Sequence, residues 1–236
     1  MDMKSALFAS FSIGMLLISN LGCATNGALY NPLSYWDKTE TEYYAKYGPS
    51  PVQKRESLQA LAAQADQLGP AEKEKVSQQL AQQITNETDV LLRIEVAKAL
   101  GEFDTQTAFA GLKTALHDPE PDVKIAAIRS LANSNNPDSI AEFAELINRE
   151  TDIDVRIAAT KGLGKFNTPT SKQALVAALD DRDPALRLTG VQSLRGMSDT
   201  DYGKETQAWR QFALGETPTP KATETSIVGR YIPFLR

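Results

Sequence analysis

The sequence has almost none of the residues from which metal sites and thiol chemistry are built. Its 236 residues include one Cys (Cys23) and one His (His117). A disulfide framework and a Cys/His zinc site both need more of these residues, so both are excluded, and we expect no Cys–His nucleophile pair. The sequence also lacks glycine-rich phosphate loops and the G-x-S-x-G, H-E-x-x-H and EF-hand patterns. We therefore expect no enzymatic activity, no metal and no cofactor.

A basic excess is also missing. The chain carries 25 Lys and Arg against 30 Asp and Glu, a formal net charge of −5. Proteins that bind nucleic acid generally carry the opposite excess, so no nucleic-acid partner is expected. With 42% hydrophobic and 23% charged residues, the composition is that of a globular protein that can bury a core.

No hydrophobic run is long enough to cross a membrane comfortably. Near the N-terminus, an apolar stretch of 13 residues from Ala6 to Ile18 follows Lys4. A bilayer core of ~30 Å needs a longer helix, and this length is typical of the hydrophobic part of a signal peptide.

The only Cys follows this stretch in the sequence Leu21-Gly22-Cys23. It resembles the lipobox of bacterial lipoproteins, in which the Cys sulfur receives a diacylglyceryl group. Asn20 and Leu21 depart from the usual pattern, which has Leu and then a small residue at these two places. The resemblance implies a lipoprotein signal peptide at 1–22, lipidation of Cys23 and a membrane-anchored protein on the extracytoplasmic side. The alternative is ordinary secretion, with Cys23 removed or left as a free thiol.

Four nine-residue segments repeat along the chain at spacings of 31, 32 and 31 residues. They are Leu92–Leu100, Val123–Leu131, Val155–Leu163 and Leu186–Leu194. Apolar residues occupy the first, third, fifth, sixth and ninth positions, which form a broad helical face. We name the predicted helices the motif helices. Small residues at the eighth position predict close approach between helices: Ala99, Ser130, Gly162 and Ser193.

A second helix is predicted between successive motif helices, and we name these the intervening helices. Their apolar pairs are Leu80/Ile84, Leu112/Leu116, Phe143/Ile147 and Leu175/Leu179. Acidic residues precede each motif helix at fixed offsets: Asp89, Glu120, Asp152 and Asp183, and two residues earlier Glu87, Asp118, Glu150 and Asp181. Carboxylates at these places cap free N–H groups and complement the helix dipole. The repeating unit is therefore a pair of antiparallel helices.

The pattern Asp-x-Asp-Val-Arg-Ile-Ala-Ala at Asp152–Ala159, followed by Leu163-Gly164, resembles the short HEAT-like repeats named after phycobilisome lyases. The resemblance covers roughly Ala71–Met197 and implies an all-α fold, a right-handed α-solenoid of about four to five helical hairpins with capping helices. The wider layout also resembles HEAT-repeat lipoproteins of planctomycete-type bacteria, through Tyr47-Gly-Pro-Ser-Pro and Asp201-Tyr-Gly.

Four segments are predicted along the chain. They are the signal peptide at 1–22, a Tyr-rich tether at 23–51, the HEAT-like solenoid at 52–216, and a Pro/Thr linker with an apolar C-terminal tail at 217–236. Repeat stacks need end helices that differ from the middle, and Tyr202–Leu214 is predicted to be the C-terminal one. We interpret Trp209 as the core of this cap, with a ligand platform as the alternative.

Two rows of basic residues recur in the motif segments. The second-position row (Arg93, Lys124, Arg156, Arg187) is interpreted as forming ion pairs between repeats. The seventh-position row predicts a basic ridge on the concave face, where a partner binds, although a solvated charged face is the alternative. The partner-binding candidates are Lys98, Arg129, Lys161, Lys165 and Gln192. The acidic clusters at 118–122 and 181–183 are interpreted as helix caps rather than acid/base pairs, and His117 as a helix-end residue rather than a ligand.

The leading hypothesis is a non-catalytic protein-interaction scaffold, anchored by lipid and binding on its concave helical face. Its expected partner is another protein or an envelope component with an acidic patch. The alternative is a HEAT-fold enzyme or a cofactor-loading protein, by analogy with the phycobilisome lyases. A pocket that holds a carboxylate of raised pKa beside an aromatic ring would favour the alternative.

Overall fold

The computed structural model describes residues 48–218, and every regular element in that range is a helix. The helices are α1 (Pro51–Ala63), a 3-10 turn (Ala65–Gln67), α2 (Pro70–Asn86), α3 (Val90–Leu100), α4 (Gln106–Ala115), α5 (Pro121–Asn133), α6 (Ser139–Arg149), α7 (Ile153–Leu163), α8 (Pro169–Ala174), α9 (Val176–Leu179), α10 (Pro184–Arg195) and α11 (Thr206–Ala213). The motif helices are α3, α5, α7 and α10. The intervening helices are α2, α4, α6 and the interrupted pair α8 and α9. The predicted all-α fold of HEAT-like hairpins, an α-solenoid, is confirmed.

The chain divides into two compact units, and the boundary falls inside α5, between Ser130 and Leu131. In the N-terminal unit, α2 packs on α3 and α4, and α1 packs on α3. In the C-terminal unit, α7 packs on α6 and α10, and α10 packs also on α9 and α11. The predicted signal peptide, Cys23 and most of the tether lie outside the described residues, as does the tail from 219 onward. Among residues 48–218, no helix is both long enough and apolar enough to cross a bilayer.

The predicted acidic caps begin three of the four motif helices. Asp89 Oδ1 accepts from the N–H groups of Leu91 at 2.8 Å and Leu92 at 3.3 Å. Asp152 caps α7 and Asp183 caps α10 in the same way. Each such cap stabilises its helix by ~1 kcal/mol, because it satisfies N–H groups that have no partner within the helix.

The core is formed by the predicted apolar positions, with one exception. The first, fifth, sixth and ninth positions of all four motif segments are buried, and so are the apolar pairs of the intervening helices. The third position is different: Ile94, Ile125 and Ile157 are half-buried, and Leu188 is 57% exposed. Because a helix turns ~100° per residue, the third position lies ~60° beyond the edge of the buried stripe. The prediction that this position belongs to the buried face was therefore wrong.

Small side chains at the eighth position allow close helix packing, as predicted. Ser130 Oγ donates to the carbonyl of Ala97 at 3.0 Å, and a Cβ on Gly101 would lie 2.6 Å from Ser130 Cβ. In the C-terminal unit, a Cβ on Gly162 would lie 2.8 Å from the ring of Phe143. A larger residue at these places would push the neighbouring helix away.

The C-terminal end of the fold is closed by an aromatic cluster. Trp209 on α11 is fully buried, and its Nε1–H donates to the carbonyl of Gly203 at 2.9 Å. The rings of Tyr202 and Phe212 lie 5.1 Å and 6.0 Å from it, both edge to face. This burial confirms the interpretation of Trp209 as the core of the cap.

Candidate functional site

The second-position cation of the first motif helix has a structural role. The Nε of Arg93 donates to Asp118 Oδ2 at 2.8 Å, and its NH2 group donates to Oδ1 at 3.0 Å. Both side chains are about nine-tenths buried, and the hydrogen bonds to Asp118 raise the pKa of the Arg93 guanidinium. Asp118 Oδ1 also accepts the N–H of Glu120 at 2.9 Å. The carboxylate of Asp118 therefore joins α3 to the turn that precedes α5.

The same arrangement recurs in the C-terminal unit. Arg156 donates to the carboxylate of Asp181 and, through Nε, to the carbonyl of Ile147 at 2.9 Å. Asp181 Oδ1 accepts the N–H of Asp183 at 2.8 Å. That backbone hydrogen bond outweighs the effect of burial and, with Arg156, lowers the pKa of Asp181. The predicted ion pairs between repeats are confirmed for Arg93 and Arg156.

The remaining second-position Arg and the acidic clusters also stabilise turns. Arg187 donates to the carbonyls of Asp181 and Arg182 at 2.9 Å and 2.8 Å. Since Asp118, Asp181 and Asp183 all serve as ion-pair or cap residues, the structural interpretation of the acidic clusters is confirmed. His117 follows the end of α4, where its Nδ1 lies 3.1 Å from the carbonyl of Lys113.

All five partner-binding candidates are exposed. Lys98 and Arg129 lie in the N-terminal unit, on α3 and α5. Lys161, Lys165 and Gln192 lie in the C-terminal unit. Lys161 and Gln192 are on α7 and α10, which pack against each other, whereas Lys165 lies just beyond the end of α7.

Lys98 differs from the other cations because it has an acidic partner on its own helix. Its Nζ lies 2.8 Å from Glu95 Oε1, and Gln59 of α1 donates to Glu95 Oε2 at 3.1 Å. Partial burial of Glu95 opposes its ionisation, but the hydrogen bonds from Lys98 and Gln59 together outweigh burial and lower the pKa of its carboxyl. The charge of Lys98 is therefore largely neutralised within the N-terminal unit.

The C-terminal unit has no such carboxylate at the equivalent places. The fourth position is Ala158 on α7 and Thr189 on α10. Within residues 48–218, the side chains of Lys161 and Lys165 make no hydrogen bond or ion pair. Their two positive charges therefore have no carboxylate partner among the described residues.

Aliphatic side chains adjoin the basic row on the surface, although the sequence pattern predicted that they are buried. Positions three and seven are four residues apart, so they lie on one face of each motif helix. Position three is Ile94, Ile125, Ile157 and Leu188. Leu91, at the start of α3, is also 68% exposed. The signal was present in the sequence, since position three is ~200° from position one and only ~40° from position seven.

Four carboxyl groups have a shifted pKa, and the direction of the shift is opposite to the one that a general acid needs. Glu74, Glu95, Asp104 and Asp181 all have a lowered pKa, and a general acid needs a raised one. Among the described residues, no group of three or more His, Cys, Asp or Glu side chains could hold a metal ion.

The chain can be placed in a family by its repeats. The HEAT repeats family matches residues 77–160 and 109–195, which together cover just over half of the 236 residues and most of α2 through to the end of α10. No curated protein matches the chain. The match and the packed helical hairpins agree on the same segment, so the chain belongs to the HEAT-repeat family.

Proposed function

We propose that the protein is a non-catalytic protein-interaction scaffold whose partner binds on the exposed faces of the motif helices. One observation carries the proposal: each motif helix presents an aliphatic residue at position three and, one turn later, a long polar or cationic residue at position seven. HEAT repeats generally use extended helical surfaces of this kind to bind other proteins.

The energetic argument starts from the exposed aliphatic side chains. Leu188 keeps 57% of its surface in water, and burying the rest under a partner would contribute about 1 kcal/mol. The cations at position seven of the other three motif helices favour carboxylates and disfavour basic partners, which gives the surface its selectivity. The expected partner is another protein or an envelope component with an acidic patch next to apolar side chains.

We propose further that a lipid on Cys23 anchors the protein on the extracytoplasmic side of a bacterial membrane. This part of the proposal is supported by the apolar stretch Ala6–Ile18 followed by the only Cys of the chain. More than one acyl chain makes anchoring stable, because each buried CH₂ contributes about 0.8 kcal/mol.

The binding face is tested by charge reversal with a matched control. The test variant carries Lys98→Glu, Arg129→Glu and Lys161→Glu; the control variant carries Lys75→Glu, Arg149→Glu and Lys204→Glu, which are exposed residues outside the motif helices. Both variants change the net charge equally. Crosslinked complexes recovered from the cell envelope should disappear only with the test variant, and its free energy of unfolding should change by less than about 1 kcal/mol. Complexes that survive the test variant would contradict the proposed face.

The anchor is tested by metabolic labelling with a clickable fatty acid. The unaltered protein should take up label and sediment with membranes, and Cys23→Ser should lose both properties. If the unaltered protein takes up no label, the lipid anchor is wrong and the scaffold is a secreted one.

A further inference from the structure

The two units differ in how many uncompensated cations they present around position seven, although they are built from the same repeat. In the N-terminal unit, Lys98 is paired with Glu95, which is held in place by Gln59, and Arg129 is followed one turn later by Asn133, whereas Lys161 is followed by Lys165. In the C-terminal unit, the residues three and four places from Lys161 on its own chain are Ile157, Ala158, Gly164 and Lys165, and none is acidic. The nearest carboxylate along α7 is that of Asp154, about two turns away.

The uncompensated cations of the C-terminal unit lie on or next to a helix that packs against the helix of an exposed aliphatic side chain. Lys161 follows Ile157 by one helical turn on α7, and α7 packs against α10, which carries Leu188 and Gln192 one turn apart. Leu188 is the most exposed of the four third-position residues. We name the surface formed by Ile157, Lys161, Lys165, Leu188 and Gln192 the α7–α10 face.

The composition of the α7–α10 face determines which occupant fits it. A basic or neutral segment would leave both lysines without a carboxylate, and a purely acidic segment would leave Leu188 in water. A segment with aliphatic side chains flanked by carboxylates satisfies both groups at once. The fourth-position residues Ala158 and Thr189 are small enough to let such a segment approach the helix backbones.

We propose that the α7–α10 face is the partner-binding site and that it takes a short acidic, amphipathic segment of another protein. Leu188 and Ile157 contact the aliphatic side chains of that segment, and Lys161 and Lys165 bind its carboxylates. The N-terminal unit does not offer this pair of cations, because Glu95 already occupies Lys98 and Arg129 has Asn133 in place of the second lysine. This inference rests on the proposed scaffold function and assigns the binding of the partner to the C-terminal unit.

Fluorescence anisotropy with the full chain tests the assignment. The probe is a fluorescein-labelled amphipathic helical peptide with Leu on one face and Glu on both flanks. Binding should be saturable, and Lys161→Glu should raise the Kd by about tenfold, Lys165→Glu and Leu188→Ser by about fivefold each. The matched control is Lys204→Glu, which makes the same charge change at an exposed residue of the same unit outside the α7–α10 face and should alter the Kd less than about twofold. Replacing Glu by Gln in the probe should abolish most of the binding.

The results separate this inference from the broader proposal. Circular dichroism spectra identical to that of the unaltered protein would exclude unfolding as the cause of lost binding, since all substituted residues are exposed. No saturable binding, equal binding of the Gln probe, or an equal effect of Lys204→Glu would each overturn the assignment. The scaffold proposal would fail separately, through envelope complexes that survive the triple charge reversal. Binding to anionic vesicles at this face, without binding to the peptide, would also overturn the assignment.

Discussion

The ion pair between Arg93 and Asp118 should contribute more to stability than any exposed pair, and its removal gives the sharpest test of the repeat architecture. Asp118→Asn preserves the shape of the side chain and can still accept the N–H of Glu120. It removes the negative charge and turns an N–H group toward the donors of Arg93. The change therefore leaves a nearly buried guanidinium without its counter-ion.

The magnitude follows from the geometry. Removing one partner of a fully buried pair costs about 3–5 kcal/mol. The side chains of Arg93 and Asp118 keep 11% and 8% of their surface in water, and Arg93 retains its hydrogen bonds to the carbonyls of Glu87 and Thr88. We therefore expect a loss of about 2–4 kcal/mol in the free energy of unfolding, a fall in Tm of roughly 5–15 °C.

Urea denaturation followed by circular dichroism measures this loss, and an exposed pair supplies the control. Arg210 and Asp180 are 41% and 55% exposed and 3.4 Å apart, so Asp180→Asn should cost less than about 0.5 kcal/mol. In a double-mutant cycle, Arg93→Met with Asp118→Leu should cost less than the sum of the single changes. A cost below about 0.5 kcal/mol for Asp118→Asn, or strict additivity in the cycle, would refute the account of the pair.

Three further predictions follow from the C-terminal unit. The pKa of Asp181 is lower in the folded state, so as pH falls the unfolded state binds this proton first. The contribution of Asp181 to stability is therefore present above pH ~4 and is lost as pH falls through the folded-state pKa. Asp181→Asn should flatten the acid side of a curve of unfolding free energy against pH, and an unchanged slope would contradict this. Gly162→Ala should lower the free energy of unfolding in urea by up to about 2 kcal/mol, because overpacking against Phe143 exceeds the gain in helix propensity. The control is Gly196→Ala, whose new Cβ meets nothing closer than 3.5 Å, and this substitution should be neutral or stabilising. Equal effects of the two substitutions would contradict the packing argument. Trp209→Ala should cost about 3–5 kcal/mol in thermal or urea unfolding, and a cost below about 1 kcal/mol would show that the cap is not part of the core.

The repeated helices of the fold could be predicted from the sequence because the same pattern of residues occurs four times along the chain. The motif helices recur with the same apolar positions, and an acidic residue precedes each start, so one misjudged residue does not change the result. The recurrence of basic and acidic residues predicted ion pairs between repeats, and the structure adds the partners: Arg93 and Arg156 each lie 25 residues before theirs, Asp118 and Asp181. Local capping and periodicity thus determine most of this architecture.

The candidate site was predicted less well because it depends on neighbouring side chains. The seventh-position residues are exposed as predicted, but the pairing of Lys98 with Glu95 also depends on Gln59, which lies on a different helix. The exposure of Leu188 was missed because apolar residues at five positions were assigned to one buried face. Because each residue of a helix is rotated by ~100° from the one before it, position three lies outside the buried stripe formed by the other four positions.

Where the partner binds is the central question, and photocrosslinking inside cells answers it most directly. A photoreactive amino acid is placed at Gln192, on the α7–α10 face, or at Gln173, an exposed glutamine of α8 in the same unit. The account predicts a discrete crosslinked product from position 192, none from position 173, and loss of the product when Lys161→Glu is added. Equal products from both positions, or a product at 192 that is unaffected by Lys161→Glu, would contradict it.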